Sequence, residues 1–292
     1  MATADQQRAA ADYLGERYGA SQRRVCGVTG RSRPALRYRR TPPADEPALT
    51  KEIKRLARRH PRFGYRRIHV MLGRRGRTVD LRRVRRVCNG PGLKRPVRPR
   101  KPRKLGPKPG TSANSRVRQP AGFKNDVGAC DLIHGRAADG RPVKWLALVD
   151  EYARECLALH AAGTLTGADV RRILARVIGR RGPPTRIGSD NGSEFICAAL
   201  AGWLPGVGAQ PIPAAAGSPR ENGDSASFPS RSRDEFLERV EFEPVADARA
   251  KASWHRREYD TIRPHGSLGY ATPKEFSAAC DEKGEGEKGH CL

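Results

Sequence analysis

Between Lys51 and Lys108 the chain carries twenty-three lysines and arginines against two acids, Glu52 and Asp80. That is a net +21 of the formal +26 carried by all 292 residues. A solvated helix face would mix signs, whereas this segment does not. Its distal part, Pro96 to Pro120, is rich in Pro, Lys, Arg and Gly and reads as an extended basic linker. The chain must therefore fold on either side of it. A polyanion is the natural partner of this charge, and double-stranded DNA the first choice, because each phosphate neutralised releases counterions. No amphipathic basic helix with an aromatic face stands out for a membrane surface, no apolar run approaches a membrane span, and the polar N-terminus is no signal peptide. The expected location is cytoplasmic, on the nucleoid. Seven scattered cysteines without a Cys-x-x-Cys pair read as reduced thiols and not as a zinc site.

Upstream of the linker the pattern is helical. Gly64 to Leu72 places Tyr65, Ile68 and Leu72 at helical spacing, and a glycine turn runs from Gly73 to Gly76. Val79 to Val87 then turns Val84 and Val87 inward and four arginines outward. Two short helices across a tight turn, the second studded with arginine, follow helix-turn-helix logic. The expected DNA-binding residues are Arg66, Arg67, Arg82, Arg83, Arg85 and Arg86, joined by Lys101, Arg103 and Lys104 of the linker. Residues 6 to 40 form one or two further basic helices about a glycine turn, either a plain amphipathic hairpin or a DNA-reading unit.

Beyond Phe123 the pattern changes to strands. Val127 to Ile133, carrying Asp131, is followed by an Asp139-Gly140 hairpin turn, a buried strand Trp145 to Val149, and a third strand Cys156 to His160. Thr166 caps a helix with Asp169 as the capping-box acid, and Val170, Ile173, Leu174, Val177 and Ile178 line its inner face. Thr185 to Phe195 supplies a fourth strand ending at Asp190; alone, its Asp-Asn-Gly would be only a turn. A helix over Phe195 to Leu204, a strand over Val207 to Ile212 and a final amphipathic helix over Pro244 to Tyr259 complete the expected order. Trp203 and Trp254 read as core. A three-stranded meander followed by mixed strands and helices is the order of a ribonuclease-H-like α/β fold, here preceded by an all-α helix-turn-helix region. In that layout strands one and four lie side by side, so Asp131 and Asp190 meet across 59 positions of sequence. Paired carboxylates at strand ends suit a hard divalent cation.

Several motifs in order give the chain a family likeness: Arg62-Phe-Gly-Tyr-Arg-Arg-Ile68, Asp139-Gly-Arg-Pro-Val-Lys-Trp145, Ser189-Asp-Asn-Gly-Ser-Glu-Phe195, Glu221-Asn-Gly223, Arg233-Asp-Glu-Phe-Leu237 and Arg263-Pro-His-Gly-Ser-Leu-Gly-Tyr270. From Gln6 to Ala279 it resembles the transposases of the insertion-sequence-three family, in the form encoded by the second reading frame, with a retroviral-integrase-like catalytic core. The resemblance implies two aspartates and a glutamate that hold two Mg2+ (or Mn2+) ions for phosphodiester cleavage and strand transfer. It puts the catalytic and metal-binding aspartates on Asp131 and Asp190. It puts the third acid 36 positions beyond Asp190, where Ala226 stands. On a helix neither Asp224 nor Glu221 projects from the face of position 226, and Pro229 is expected to delay the helix start. Gly128 stands where the family carries tryptophan, which implies lost core packing. These departures point to a degenerate copy with impaired activity, the alternative being a non-catalytic DNA-binding protein that occupies transposon ends. The resemblance also implies a homo-oligomer on DNA and a separate first-frame transposase partner.

The expected organisation is 1–45 basic N-terminal helices, 46–95 helix-turn-helix domain, 96–121 basic linker, 122–279 integrase core and 280–292 disordered tail. A competing reading takes Arg263, His265 and Tyr270 as a tyrosine-recombinase cluster, although all three fall within eight residues, which suits a packing turn better.

Overall fold

The computed structural model describes residues 4–38, 41–90, 93, 120–189, 198–213 and 227–282. The chain forms two compact units, residues 1–52 and 53–292. In the first, α1 (Ala4–Tyr18), α2 (Gln22–Thr29) and α3 (Arg33–Arg37) pack on one another, with Ala11 and Val25 buried. Helix α4 (Glu46–Arg59) crosses the division and buries Leu49, Ile53 and Leu56, an i, i+4, i+7 stripe.

The second unit continues with α5 (Tyr65–Gly73) and α6 (Leu81–Cys88), which pack together. Then come β1 (Val127–Arg136), β2 (Pro142–Asp150), β3 (Cys156–Ala162), α7 (Gly167–Arg181), β4 (Arg186–Ser189), α8 (Ala198–Gly206) and β5 (Gln210–Pro213). Helix α9 (Ser227–Ser232) widens into a π turn over Arg233–Leu237, and α10 (Val245–Thr261) and α11 (Pro273–Glu282) follow. The sheet order is β3-β2-β1-β4-β5. Strands β1, β2 and β3 form the antiparallel meander, while β4 runs parallel to β1 and β5 parallel to β4.

Local chemistry explains the connections. Gly140, at φ 80°, lets the β1–β2 hairpin close, and the Asp139 carboxylate accepts the Arg141 N–H at 3.0 Å. At the head of α7 the Thr166 hydroxyl accepts the Asp169 N–H at 3.3 Å and the Asp169 carboxylate accepts the Thr166 N–H at 3.1 Å, the reciprocal capping box. Because side chains alternate across a strand, the sheet separates two cores. One face gathers Cys130, Leu146 and Leu148 with Val170, Leu174, Ile187 and Leu204. The other gathers Ile133, Trp145, Ala147 and Val149 with Phe228, Phe236, Phe242 and Tyr259.

Several expectations are corrected here. The helix start expected near Pro229 falls at Ser227, where the described residues resume. Pro229 occupies the first turn, where its missing N–H would have had no helical partner in any case. Helix α10 is not the last, since Pro273 opens α11. The fifth strand starts at Gln210, because Val207 and Ala209 donate their N–H groups back to Leu204 O at 3.2 and 3.0 Å and close the end of α8. Trp254 is 56% exposed and not core. The buried face of α10 is Ala248, Ala252, His255 and Tyr259, and residue 254 lies about 130° around the helix from it. Nor does Gly128 leave a tryptophan-sized hole. A Cβ there would meet Leu148, Ile187 and Pro184 at 3.5–3.7 Å, ordinary contact for a site already closed by its neighbours. The Trp145 ring instead fills the space over Gly135 on the opposite core face.

Candidate nucleic-acid interface and catalytic face

Helix α6 is built for a polar, charged surface. Asp80 caps it, its carboxylate accepting the N–H groups of Arg82 at 2.7 Å and Arg83 at 3.3 Å. Val84 is fully buried, while Arg82, Arg85 and Arg86 are exposed and Arg83 half-buried. Ile68, Met71 and Leu72 of α5 are buried, and Gly76 turns the chain at φ 75° between the two helices. His69 Nε2 lies 2.8 Å from Val79 O and ties the turn down. The guanidinium groups of Arg66 and Arg85 lie 5.8 and 5.5 Å from the centre of the Tyr65 ring, which holds two cations side by side at the surface.

Arg67, the remaining member of the expected set on α5, is directed inward. It donates to Glu235 Oε1 at 3.3 Å and lies over the Phe63 ring at 5.4 Å. Burial, then neighbouring Arg263, pull its pKa down to about 10, still charged at neutral pH. Its partner here is the Glu235 carboxylate of the core. Lys101, Arg103 and Lys104 lie outside the described residues.

On the sheet, Asp131 is half-buried in β1 opposite Ala147 of β2. By strand alternation it shares the face of Ile133, where α9 packs against β1 and Phe228 is 2% exposed. The parallel register of β1 with β4 runs from Val127↔Arg186 to Cys130↔Ser189. The residues that follow that last pair in sequence are Asp131 and Asp190. Asp190 and Ala226, with Glu221 and Asp224, lie outside the described residues. Among the described residues no three His, Cys, Asp or Glu side chains gather as a metal site.

Sequence reasoning missed Glu235, an acid on which the fold itself relies. Glu235 accepts from Arg263 Nε at 2.7 Å and from Arg263 Nη2 at 2.6 Å, so the two C-terminal motifs are joined by a bidentate pair with Arg263 only 3% exposed. Burial would raise the pKa of Glu235, but the Arg263 and Arg67 guanidinium groups outweigh it and hold the carboxyl below its ordinary value. Arg263 Nη1 also lies 3.2 Å from His265 Nε2, and burial together with that cation pushes the His265 pKa down to about 2. This geometry removes the tyrosine-recombinase reading, because Arg263 is engaged in the interior by a carboxylate. Asp150 accepts the N–H groups of Asn125, Tyr152 and Ala153 at 2.9–3.1 Å and closes a turn at the Gly128 end of β1, three positions from Asp131. Asp126 holds Arg186 at 2.9 Å at the same end. An acid in one motif, Glu235, and an arginine in the other, Arg263, were the available signal for the pair. Sequence spacing alone does not pair residues 28 apart.

Comparison with known proteins follows the same division. Residues 44–102 match the HTH-like domain family, and residues 124–219 and 207–273 match two profiles of the Integrase core domain. The chain is 33% identical over 263 residues to the insertion element IS407 uncharacterized 31.7 kDa protein of Burkholderia multivorans, covering 90% of this chain and 92% of that one. It belongs to the insertion-element transposases with an integrase core. A second relative, the insertion element IS476 uncharacterized 39.2 kDa protein of Xanthomonas euvesicatoria, is 33% identical over 258 residues, 88% of this transposase and 72% of that protein. Among solved structures, the HTLV-2 integrase catalytic core domain in complex with magnesium is similar at 14% identity and a TM-score of 0.41, over 52% of this chain and 96% of that one. The helix-turn-helix region makes this transposase a DNA-binding protein, and its core belongs to an integrase family whose members are typically divalent-metal-dependent. No described helix is long and apolar enough to cross a membrane.

Proposed function

We propose that this transposase binds the ends of its own insertion element and a target duplex, and that its cleavage and strand-transfer activity is impaired. The observation that carries the reading is the β1–β4 register, which ends at Cys130↔Ser189 with Asp131 and Asp190 next in sequence. Two carboxylates so numbered offer the oxygen donors a hard cation prefers, Mg2+ or Mn2+, and the donor chemistry fits one such ion. Ala226 offers no third carboxylate, which weakens any two-ion site. A bound divalent ion would supply charge stabilisation to the phosphoryl oxygens under attack.

The chain's own residues do the rest. Arg82, Arg85 and Arg86, with Arg66, meet phosphate oxygens and set the register of the duplex. Lys101, Arg103 and Lys104 of the basic 96–121 linker add further phosphate contacts. Arg67 positions α5 on the core through Glu235. The assembled form is a homo-oligomer on DNA, near the nucleoid, and a first-frame protein is a further partner.

The test compares metal-dependent nicking of a duplex carrying one element end by the parent chain, Ala226→Glu, and Ala226→Glu with Asp131→Asn. The expected result is a faint parent signal, a strong gain with glutamate, and loss again with Asp131→Asn. A parent that nicks as fast as an active Ala226→Glu form overturns the impairment. The second reading, a non-catalytic occupant of element ends, is favoured by Ala226 itself. It requires the parent to bind ends over scrambled duplex and to slow an active transposase in the same tube.

A further inference from the structure

We propose that residues 21–38 are a second DNA-contacting helix-turn-helix, separate from α5–α6 and outside the matched HTH-like region, which begins at residue 44. The geometry is that of a helix, a tight turn and a second helix. Ser21 caps α2 through the Arg24 N–H at 3.4 Å. Gly30 ends α2 in the left-handed region at φ 64° and returns its N–H to Cys26 O. Ser32 is extended at φ −69°, ψ 149°, and α3 starts at Arg33 with Pro34 in its first turn. Val25 is 4% exposed and α1, α2 and α3 pack pairwise, so the turn is supported by a small three-helix core. Arg37 ties the far end of α3 to the start of α2, donating to Gln22 Oε1 at 3.0 and 2.5 Å.

The surface of this element is of one sign. From Arg17 to Tyr38 there are six arginines and no acid. Arg23, Arg24, Arg31 and Arg33 are exposed, and Tyr38 stands 62% exposed beside them. A solvated helix hairpin ordinarily mixes signs, as α1 does with Asp12 and Glu16 beside its arginines. Four exposed guanidinium groups on a turn and its flanking helices meet a polyanionic backbone, and a duplex is the polyanion this transposase already handles. With α3 only five residues long, the contribution is mainly to phosphates and so to affinity and register, not to base readout.

The experiment measures binding of the full chain to a duplex carrying one element end, by titration across salt concentration and by footprinting. Arg31→Gln with Arg33→Gln is expected to make the log K against log salt slope shallower by about 2, since each lost phosphate contact contributes about 0.9, and to remove part of the footprint. Gly30→Ala keeps every charge but strains the turn, and is expected to lose the same part of the footprint. Arg82→Gln with Arg86→Gln is expected to lose a different part. An unchanged slope and footprint in the Arg31/Arg33 variant, with its helix content intact by circular dichroism, overturns the proposal. If only the Arg82/Arg86 variant is silent, the α6 assignment fails and this one stands.

Discussion

Replacing Glu235 by glutamine keeps the side chain's shape and removes its charge. In the native interior Glu235 receives two short bonds from Arg263, at 2.7 and 2.6 Å, and a longer one from Arg67 at 3.3 Å. The substitution leaves the Arg263 guanidinium, 3% exposed, without a counter-charge, and leaves the glutamine amide facing donors it cannot satisfy. Breaking a buried pair from one side costs about 3–5 kcal/mol, whereas replacing both partners is far milder because no orphaned charge remains. Arg67 is the weaker partner, so Arg67→Met should cost about 1 kcal/mol, in the range of a single partly solvated pair. The assay is urea denaturation of parent, Glu235→Gln, Arg263→Met and the Glu235→Gln/Arg263→Met pair. The pair should lose clearly less than the sum of the two singles, a coupling of about 2 kcal/mol or more between contacting residues. Additive losses, or a Glu235→Gln loss below about 1 kcal/mol, would refute the view that Glu235 is the interior anchor of Arg263.

Three further outcomes are expected. Asp80→Ala removes the cap of α6 and lowers its stability by about 1 kcal/mol, while Asp80→Asn keeps an acceptor and loses a charge that repels phosphate; DNA affinity should rank Asn above Ala, and the reverse order would contradict the cap's role. Gly135→Ala brings a Cβ within 2.7 Å of Trp145 Cζ3 and should destabilise by about 1–3 kcal/mol, relieved by a second Trp145→Phe change and read from thermal melts. Acid should unfold this transposase early: burial holds His60 and His255 near about 4 and His265 near about 2, all below the free value of about 6.5, so the unfolded chain takes up three protons the folded one refuses as pH falls. Asp260, pushed up to about 7 by burial, works in the opposite sense between pH 4 and 7, as do Asp150 and Glu258, both raised by burial, so they offset part of the histidines' acid loss. A urea midpoint as high at pH 5 as at pH 7 would contradict this, and Asp260→Asn should steepen the acid loss.

Strand order and helix caps were legible because their signals are local. The Asp139-Gly140 turn, the Thr166–Asp169 box and the period-two runs each declare themselves within a few residues, and together they dictate the meander that brings strands one and four alongside. Arg67 was not legible. Its sequence neighbours are as basic as those of Arg66, and only the carboxylate of Glu235, 168 positions away, separates the two roles. Trp254 misled in the other direction, since an aromatic residue in an amphipathic helix reads as core until the buried stripe of α10 is known to pass through His255 and Tyr259. Gly128 looked like a lost ring, but Leu148, Ile187 and Pro184 already stand 3.5–3.7 Å from where its Cβ would be, so no ring-sized space is left there.

The same separation between packing and chemistry explains how a transposase can lose an acid and keep its fold. The core face that carries Asp131 is held by hydrophobic and aromatic groups: Phe228 edge-on to Tyr259 at 4.8 Å, and Phe236 edge-on to Phe242 at 5.3 Å. The Glu235–Arg263 pair fixes the turn that follows α9. None of these groups is a carboxylate of the proposed metal site. Selection acting on DNA occupancy would therefore preserve them whether or not position 226 carries an acid. The parent and its Ala226→Glu form should then bind an element end with the same salt dependence and differ only in cleavage. If restoring the glutamate changes the binding slope as well, position 226 takes part in holding DNA, and the division between a binding half and a catalytic half does not hold.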